Sequence, residues 1–249
     1  CYACPIRCKQ ECAGGKYDID PIYGGPEYET SGAFGPNMRV DDIEVIAKAH
    51  ELCNRYTLDT IDAGMTIAFA MECFENGIIT EEDTDGLELR FGNGDAALEM
   101  IHKIAHKEGF GAVLAEGSYR AAKKIGNGAE RFALTVKKQG LPMHEPRGKN
   151  NIALSYATSP TGADHLEAAH DMPFEDGRWA IPDDYPVGLL EGVPARGLTP
   201  EKVRWFVQNQ HIYSVLNTLS MCFFTVGPAR LFRLKHLVDM IEGTTGWET

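Results

Sequence analysis

The feature that most constrains this chain is a cluster of cysteines at its beginning. Four of its seven cysteines fall within the first twelve residues, and the full set is Cys1, Cys4, Cys8, Cys12, Cys53, Cys73 and Cys222. An odd total with one dense cluster does not fit a secreted disulfide framework, which spreads an even number over a short chain. At 249 residues the chain also buries a core without disulfides. In a reducing compartment, clustered thiols indicate a metal site.

The spacing of these thiols bears on which metal they bind. Thiolates suit either zinc or an iron–sulfur cluster. Structural zinc sites usually pair two separated C-x-x-C knuckles, whereas Cys1, Cys4 and Cys8 follow one another as C-x2-C-x3-C. Such a run is typical of a [4Fe–4S] cluster that a remote cysteine completes. Cys222 is the remote candidate and Cys12 the local one. The pattern favours an iron–sulfur cluster over zinc or unligated thiols.

Charge and hydropathy exclude two classes of partner. The chain carries 24 basic and 36 acidic side chains, a formal net charge of −12, which argues against a nucleic-acid surface. Its longest strongly apolar stretch, Met65 to Met71, is far shorter than the roughly 20 residues that span a bilayer. We therefore expect a cytoplasmic protein with no nucleic-acid or membrane partner. Because the sequence starts at Cys1, we also expect it to be part of a longer protein.

Apolar residues spaced three and four apart predict a mostly helical chain. Predicted helices begin near residues 42, 60, 80, 95, 112, 199 and 228. The first two form a helical hairpin, and residues 131–136 are the only convincing strand. Glycine and proline mark residues 13–38 and 140–194 as long loops. The expected fold class is mainly α, with bundle-like helical domains at 1–135 and 136–249 and long ordered loops between helices.

Those loops carry side chains of the kinds that active sites use. Binding residues concentrate on loops held by a rigid scaffold, so these segments are the candidate walls of a site. The candidates are Glu27 and Glu29 around a tyrosine, His144, Glu145 and Arg147 in a proline-flanked segment, and His165, His170 and Asp171 further on.

Several short motifs occur in one order that is specific as a set. They are the C-x2-C-x3-C loop, Gly25-Pro26-Glu27-Tyr28-Glu29-Thr30, Leu58-Asp59-Thr60-Ile61, Gly109-Phe110-Gly111, Leu114-Ala115-Glu116-Gly117, Pro146-Arg147, Gly162-Ala163-Asp164-His165-Leu166 and Cys222. From Cys1 to about Thr249, the chain resembles the two helical C-terminal domains of the tungsten-containing aldehyde ferredoxin oxidoreductase family. The resemblance implies tungsten or molybdenum held by two pterins and a [4Fe–4S] cluster that passes electrons to ferredoxin.

The resemblance also assigns ligands to these cofactors. It places the cluster ligands at Cys1, Cys4, Cys8 and Cys222, which leaves Cys12 as a bystander. The first pterin motif falls on Asp59 to Gly64, with Asp59 and Asp62 as binding residues. The second falls on Asn217 to Cys222, with Asn217 and Met221. The resemblance leaves Arg147 either as a clamp for a pterin or substrate anion or as a structural salt-bridge partner.

The sequence departs from the family pattern at four positions. Asn217 stands where an aspartate is usual, and Ser220 and Lys138 stand where glycines are usual. Gly140 replaces a glutamate that is common before the Leu-Pro pair. An amide still hydrogen-bonds a pterin ring, but it supplies no acceptor charge.

For catalysis, the resemblance points to Glu27 or Glu29 and to His165. Oxidation of an aldehyde to an acid adds water-derived oxygen, removes two electrons and releases protons, which a carboxylate and a histidine can accept. Cys53 and Cys73 are predicted to be core residues. Cys53 is also kept as a candidate metal ligand.

We expect an aldehyde oxidoreductase whose partners are ferredoxin, a small aldehyde and the protein's own N-terminal domain, within a homo-oligomer or a larger complex. The fragment alone is expected to be inactive. The alternative enzyme is an aromatic acyl-CoA reductase subunit of the same family. Alternatives of another class are an iron–sulfur electron-transfer module without a substrate site and a zinc-stabilised helical scaffold.

Overall fold

The computed structural model describes residues 3–171, 175, 192–226 and 231–248. The predicted cluster ligand Cys1 lies outside these residues, as does Pro228 at the predicted start of the last helix. The chain divides into two compact units. The first unit contains Cys8–Met143 and Pro160–Asp164, and the second contains Tyr2–Arg7, His144–Ser159 and His165–Thr249. The domain boundary expected between residues 135 and 136 stays a prediction.

The first unit is helical, with one short hairpin. Its helices are α1 (Tyr28–Phe34), α2 (Ile43–Tyr56), α3 (Thr60–Glu75), α4 (Gly94–His106), α5 (Gly111–Leu114) and α6 (Ser118–Ile125). Short 3-10 helices cover Pro21–Tyr23, Pro36–Met38 and Ala129–Phe132. The strands β1 (Thr135–Val136) and β2 (Gln139–Gly140) pair antiparallel.

Side-chain caps start the main helices of this unit. Asp42 accepts a hydrogen bond from the amide of Glu44 at α2, and Asp59 and Asn93 do the same at α3 and α4. Each cap satisfies an amide that has no partner within its helix, which stabilises the helix by about 1 kcal/mol.

The core of this unit forms around α3. Residues 66–71 are all buried, so this helix is covered on every side. Its close approach to α1 depends on Gly64, because a Cβ there would lie 2.6 Å from the Cβ of Ala33. Large apolar side chains complete the core, among them Phe34, Met38, Ile67, Met71, Leu89, Met100, Ile101 and Leu114. Each contributes about 1.5–3 kcal/mol by its burial.

Among the residues that the structure describes, the second unit contains helices α7 (Asn150–Thr158), α8 (Pro200–Thr218), α9 (Phe223–Val226) and α10 (Leu234–Thr245). Thr199 caps α8 and Pro200 occupies its first turn, as the sequence predicts. The mainly α fold class is confirmed by these helices. Among the described residues, none of the helices combines the length and the apolar character needed to cross a bilayer.

A buried ion pair organises this unit. The ammonium of Lys202 in α8 contacts the carboxylate of Asp171, and both side chains are inaccessible to solvent. Lys202 also donates to the carbonyl of Ala195 at 3.3 Å. Asp171 in turn accepts from the amide of Asn151 in the first turn of α7. The pair and its hydrogen bonds therefore connect α7 and α8 to the segment that contains Asp171.

Four local predictions are wrong. Residues 81–86 form turns instead of the helix expected from Thr80, and residues 112–125 form two helices because Gly117 at φ +79° interrupts them. The strand expected over residues 131–136 begins as a 3-10 helix, and only its last two residues pair. The expected loops at 13–38 and 140–194 contain α1 and α7, which are too short to show clear periodicity.

Removal of Lys202 tests the ion pair. We expect Lys202→Met to lower the free energy of unfolding by about 3–5 kcal/mol, because it leaves the carboxylate of Asp171 buried without its counter-ion. The measurement is thermal and chemical unfolding of the full-length protein. Lys235→Met is the matched control, since Lys235 forms an exposed pair with Asp239 that is worth about 0–1 kcal/mol.

The double variant Asp171→Asn/Lys202→Met removes both charges and keeps an acceptor for the amide of Asn151. It should be more stable than Lys202→Met alone. Equal losses for Lys202→Met and Lys235→Met would contradict a structural role for the pair.

Candidate active site

Three histidines of the second unit, His144, His165 and His170, lie side by side. The ring centroid of His144 is 4.9 Å from that of His165 and 4.3 Å from that of His170, and the last two are 6.0 Å apart. All three are half-buried. The sequence places them in two separate loops, and the fold brings them into contact.

A lysine that the sequence analysis missed lies among these rings. The Nζ of Lys149 is 3.1 Å from Nδ1 of His144 and 3.4 Å from Nδ1 of His170. On the other side of its ring, Nε2 of His170 lies 3.2 Å from the carbonyl oxygen of His165. Lys149 comes near these rings through the packing of α7. Its residue type and its spacing in the sequence give no sign of this contact.

Electrostatics keeps His170 neutral. Burial and the neighbouring His144, Lys149 and His165, which repel a positive charge, together lower the pKa of His170 to about 3. His170 therefore stays uncharged throughout the physiological range and acts as a hydrogen-bonding group.

Helix α7 positions the cluster from both sides. The side chain of Asn151 donates to the carbonyl of Ala169, and the backbone amide of Asn151 donates to Asp171 at 2.9 Å. These two hydrogen bonds lie on either side of His170 in the chain. Tyr156, one and a half turns along the helix, donates to the carbonyl of His144 at 3.0 Å. The same helix thus fixes the backbone at His144 and on both sides of His170.

The two candidate glutamates of the first unit have different environments. Glu29 lies in α1, where its Oε2 accepts from the amide of Met143 at 2.8 Å, and Tyr28 donates to the carbonyl of Met143 at 3.0 Å. Glu27 precedes the helix and pairs with Lys9 at 3.0 Å, with the two side chains 39% and 55% exposed. The backbone of Met143, which is the residue before His144 in the chain, therefore holds Glu29 in place. Glu27 is instead the partner of a surface ion pair.

Asp59 and Asp62 of the first predicted pterin motif also differ. Asp59 is exposed and caps α3, with its carboxylate 2.7 Å from the amide of Asp62. Asp62 is half-buried and accepts from the amide of Gly140 in β2 at 3.0 Å. Burial raises the pKa of Asp62, although the hydrogen bond from Gly140 opposes the shift. Asp59 is therefore accessible at the start of α3, while Asp62 holds the hairpin.

The second motif lies at the end of α8. Asn217 and Cys222 are exposed and Met221 is half-buried. The amide of Ser220 donates to the carbonyl of Asn217 at 3.0 Å, and that of Met221 donates to the carbonyl of Leu216 at 2.9 Å. This is a Schellman ending, in which the residue at Ser220 takes a left-handed conformation, here φ +54°. The geometry explains why glycine suits this position.

Arg147 forms a local ion pair. Its guanidinium makes two hydrogen bonds of 2.8 Å with the carboxylate of Glu145, and its side chain is 89% exposed. Arg147 also lowers the pKa of Glu145 to about 2 through these hydrogen bonds. The pair joins two residues of the same segment and leaves Arg147 at the surface, so it is not a salt bridge between loops.

The six cysteines that the structure describes carry free thiols. Cys8 and Cys222 are exposed and Cys4 is half-buried, so these three are accessible to a metal. Cys12 is half-buried beside Gly25, where an added Cβ would lie 3.1 Å from its sulfur. Cys53 and Cys73 are buried in the core, and burial raises the pKa of each to about 12. Neither core thiol ionises near neutral pH.

Comparison with known proteins identifies the family. All 249 residues match the family model described as aldehyde ferredoxin oxidoreductase, domains 2 and 3. The chain belongs to the aldehyde ferredoxin oxidoreductase family. It is 37% identical to the tungsten-containing aldehyde ferredoxin oxidoreductase of Pyrococcus horikoshii over 256 aligned residues. The match covers 100% of this chain and 38% of that relative, so the chain spans about two fifths of its length.

Relatives within this family have different names. A protein of Pyrococcus furiosus described as an aliphatic sulfonate oxidoreductase, WOR-like subunit, is 35% identical over 68% of this chain and 28% of its own length. Among solved structures, the active site complex BamBC of benzoyl coenzyme A reductase, in complex with 1,5 dienoyl-CoA, superimposes with a TM-score of 0.77. That match is 21% identical and covers 100% of this chain and 41% of the other, and it shows a shared fold.

The residues present fit the cofactors that the resemblance implies. Thiolates are the ligands that iron–sulfur clusters use, and Cys4, Cys8 and Cys222 are accessible thiols. Asp59 and Asn217 are exposed hydrogen-bonding groups at the two predicted pterin motifs. The chemistry of both donor sets is therefore compatible with a cluster and with pterin rings.

The backbone at Ser220 generates a stability prediction. A non-glycine residue in the left-handed region costs roughly 1 kcal/mol, so Ser220→Gly should stabilise the protein by up to about that amount. Ser214→Gly, at an exposed position inside the same helix, is the matched control and should destabilise by about 0.5–1 kcal/mol. Thermal unfolding of the two full-length variants measures both effects. Destabilisation by both substitutions would contradict the strain assigned to Ser220.

Proposed function

We propose that this chain forms domains 2 and 3 of an enzyme that oxidises aldehydes to carboxylic acids. In this proposal, tungsten or molybdenum is held by two pterins, and a [4Fe–4S] cluster passes electrons to ferredoxin in the cytoplasm. The observation that carries it is the family match over the whole chain. The position of His165 beside His144 and His170 supports it, because this places the proposed base His165 among other titratable side chains.

Cysteines would hold the cluster. We assign Cys1, Cys4, Cys8 and Cys222 as its ligands and leave Cys12 out. Three of the four are accessible free thiols, and Cys1 lies outside the described residues. The carbonyl of Cys222 accepts from the amide and the hydroxyl of Thr225, which fixes the backbone at the remote ligand.

The exposed polar residues at the two motifs would hold the pterins. Asp59 and Asn217 would hydrogen-bond the rings directly, with Met221 packing beside them. Asp62 would contribute by holding the β1–β2 hairpin, since its carboxylate accepts from Gly140. Arg147 is exposed and would reach an anionic group only by giving up its pair with Glu145. When bound, the metal supplies a Lewis acid and a two-electron acceptor.

The protein's own contribution is to take protons. Conversion of an aldehyde and water to an acid releases two electrons and two protons, and a positioned base typically contributes 10²–10⁴-fold to such a step. We assign the base roles to Glu29 and His165. Glu29 is preferred to Glu27 because a backbone amide fixes its carboxylate, whereas Glu27 pairs with Lys9 at the surface.

The test is an assay of the full-length protein purified without oxygen. We expect tungsten or molybdenum, acid-labile sulfide, and reduction of ferredoxin that depends on an aldehyde.

Aromatic acyl-CoA thioesters assayed in parallel test the alternative, which the shared fold with a benzoyl coenzyme A reductase complex raises. Turnover of thioesters alone would favour the alternative. An iron–sulfur spectrum without pterin would indicate an electron-transfer module, and absence of tungsten, molybdenum and sulfide would contradict the proposal.

Substitution of the two glutamates tests the proposed base. Glu29→Gln keeps an acceptor for the amide of Met143 but removes the charge, so we expect kcat to fall by about 100-fold or more. Glu27→Gln, the matched control, should change kcat by less than about threefold, because it loses only an exposed ion pair. Steady-state kinetics on an aldehyde measures both. The reverse order of effects would assign the base to Glu27.

A further inference from the structure

His170 makes contacts at both ring nitrogens that require the same tautomer. An ammonium group has three donors and no acceptor, so Nδ1 of His170 must accept where it faces Lys149 at 3.4 Å. A carbonyl oxygen only accepts, so Nε2 must donate where it faces His165 at 3.2 Å. With the proton on Nδ1 instead, two donors would face each other at one nitrogen and two acceptors at the other.

We propose that Lys149 is a positioning residue that selects the Nε2–H tautomer of His170 and through it holds the backbone of His165. The chain of contacts runs from the ammonium of Lys149 to Nδ1 of His170, and from Nε2–H of His170 to the carbonyl of His165. The same ammonium contacts Nδ1 of His144, so it also directs the Nε2–H of that ring away from the lysine. The consequence for turnover rests on the function proposed above.

The surroundings of Lys149 are built for this role. Lys149 directly precedes α7, and Asn151 in the first turn of that helix donates to Ala169 and Asp171 on the two sides of His170. The buried pair of Asp171 with Lys202 locks that segment in turn. Because Asn151 lies two residues after Lys149 and binds the neighbours of His170, the fold brings the side chains of Lys149 and His170 together.

Among the described residues, the charged and titratable groups that lower the pKa of His170 are His144, Lys149 and His165. Burial and these three groups oppose a positive charge on the ring, although the hydrogen bond to the carbonyl of His165 favours it. The contacts therefore select the tautomer, and the electrostatics keeps the ring neutral.

The first test observes the tautomer directly. Nitrogen-15 spectra of the full-length protein, labelled only at histidine rings, distinguish a protonated from an unprotonated ring nitrogen. We expect His170 to show the Nε2–H form at pH 7, with its signals assigned by their loss in His170→Asn. In Lys149→Met, which keeps the aliphatic stem, the His170 signals should move toward a mixture of forms, and Lys149→Arg should restore them. Lys124→Met, an exposed lysine in α6, is the control.

The second test measures turnover of an aldehyde. Lys149→Met should lower kcat by about tenfold with KM changed less than twofold, as expected for loss of positioning rather than of binding. An unchanged His170 spectrum in Lys149→Met, or a changed spectrum with unchanged kcat, would overturn the proposal. If the wild-type protein turns over no aldehyde, the proposed function fails, and the spectra still decide whether Lys149 sets the tautomer.

Discussion

The second unit depends on the buried contact between Asp171 and Lys202. An isolated charge is too costly to bury, so the two groups stabilise the fold only while both are present and their remaining hydrogen bonds are made. Here those bonds go to the backbone, from Asn151 to Asp171 and from Lys202 to Ala195. The pair therefore specifies how α7, α8 and the segment that contains Asp171 pack against one another. Apolar packing alone would leave this arrangement less defined.

This constraint extends to the histidine cluster because the residues are adjacent in the chain. His170 precedes Asp171, and Lys149 lies two residues before Asn151. The bond between Asp171 and the start of α7 therefore brings His170 and Lys149 close together. Lys149 then lies within hydrogen-bonding distance of the rings of His144 and His170. The same helix fixes His144 through Tyr156. A polar contact in the interior thus helps to set the positions of His144, Lys149 and His170, and His165 lies beside the two histidines.

The sequence predicts best the features that have a local cause. The starts of α2, α3 and α8 follow from Asp42, Asp59 and Thr199, and the mainly α class follows from apolar spacing. The ordered motifs also predict the family, and the family model confirms it. By contrast, α7 and the contact of Lys149 with His170 depend on partners 20 or more residues away, as in the bond from Asn151 to Asp171. No periodicity or short motif encodes such pairing.

The structure shows the local conformation at two positions where the chain departs from the family pattern. Lys137 and Lys138 form the turn of the β1–β2 hairpin with φ +50° and +76°, a conformation that favours glycine or asparagine. Directly after it, Gly140 leaves no room for a side chain, since an added Cβ would lie 2.7 Å from Oδ1 of Asp62. A glutamate at position 140 would therefore displace the carboxylate of Asp62. Glycine at 140 and the inward position of Asp62 are coupled, which leaves Asp59 as the exposed aspartate of this motif.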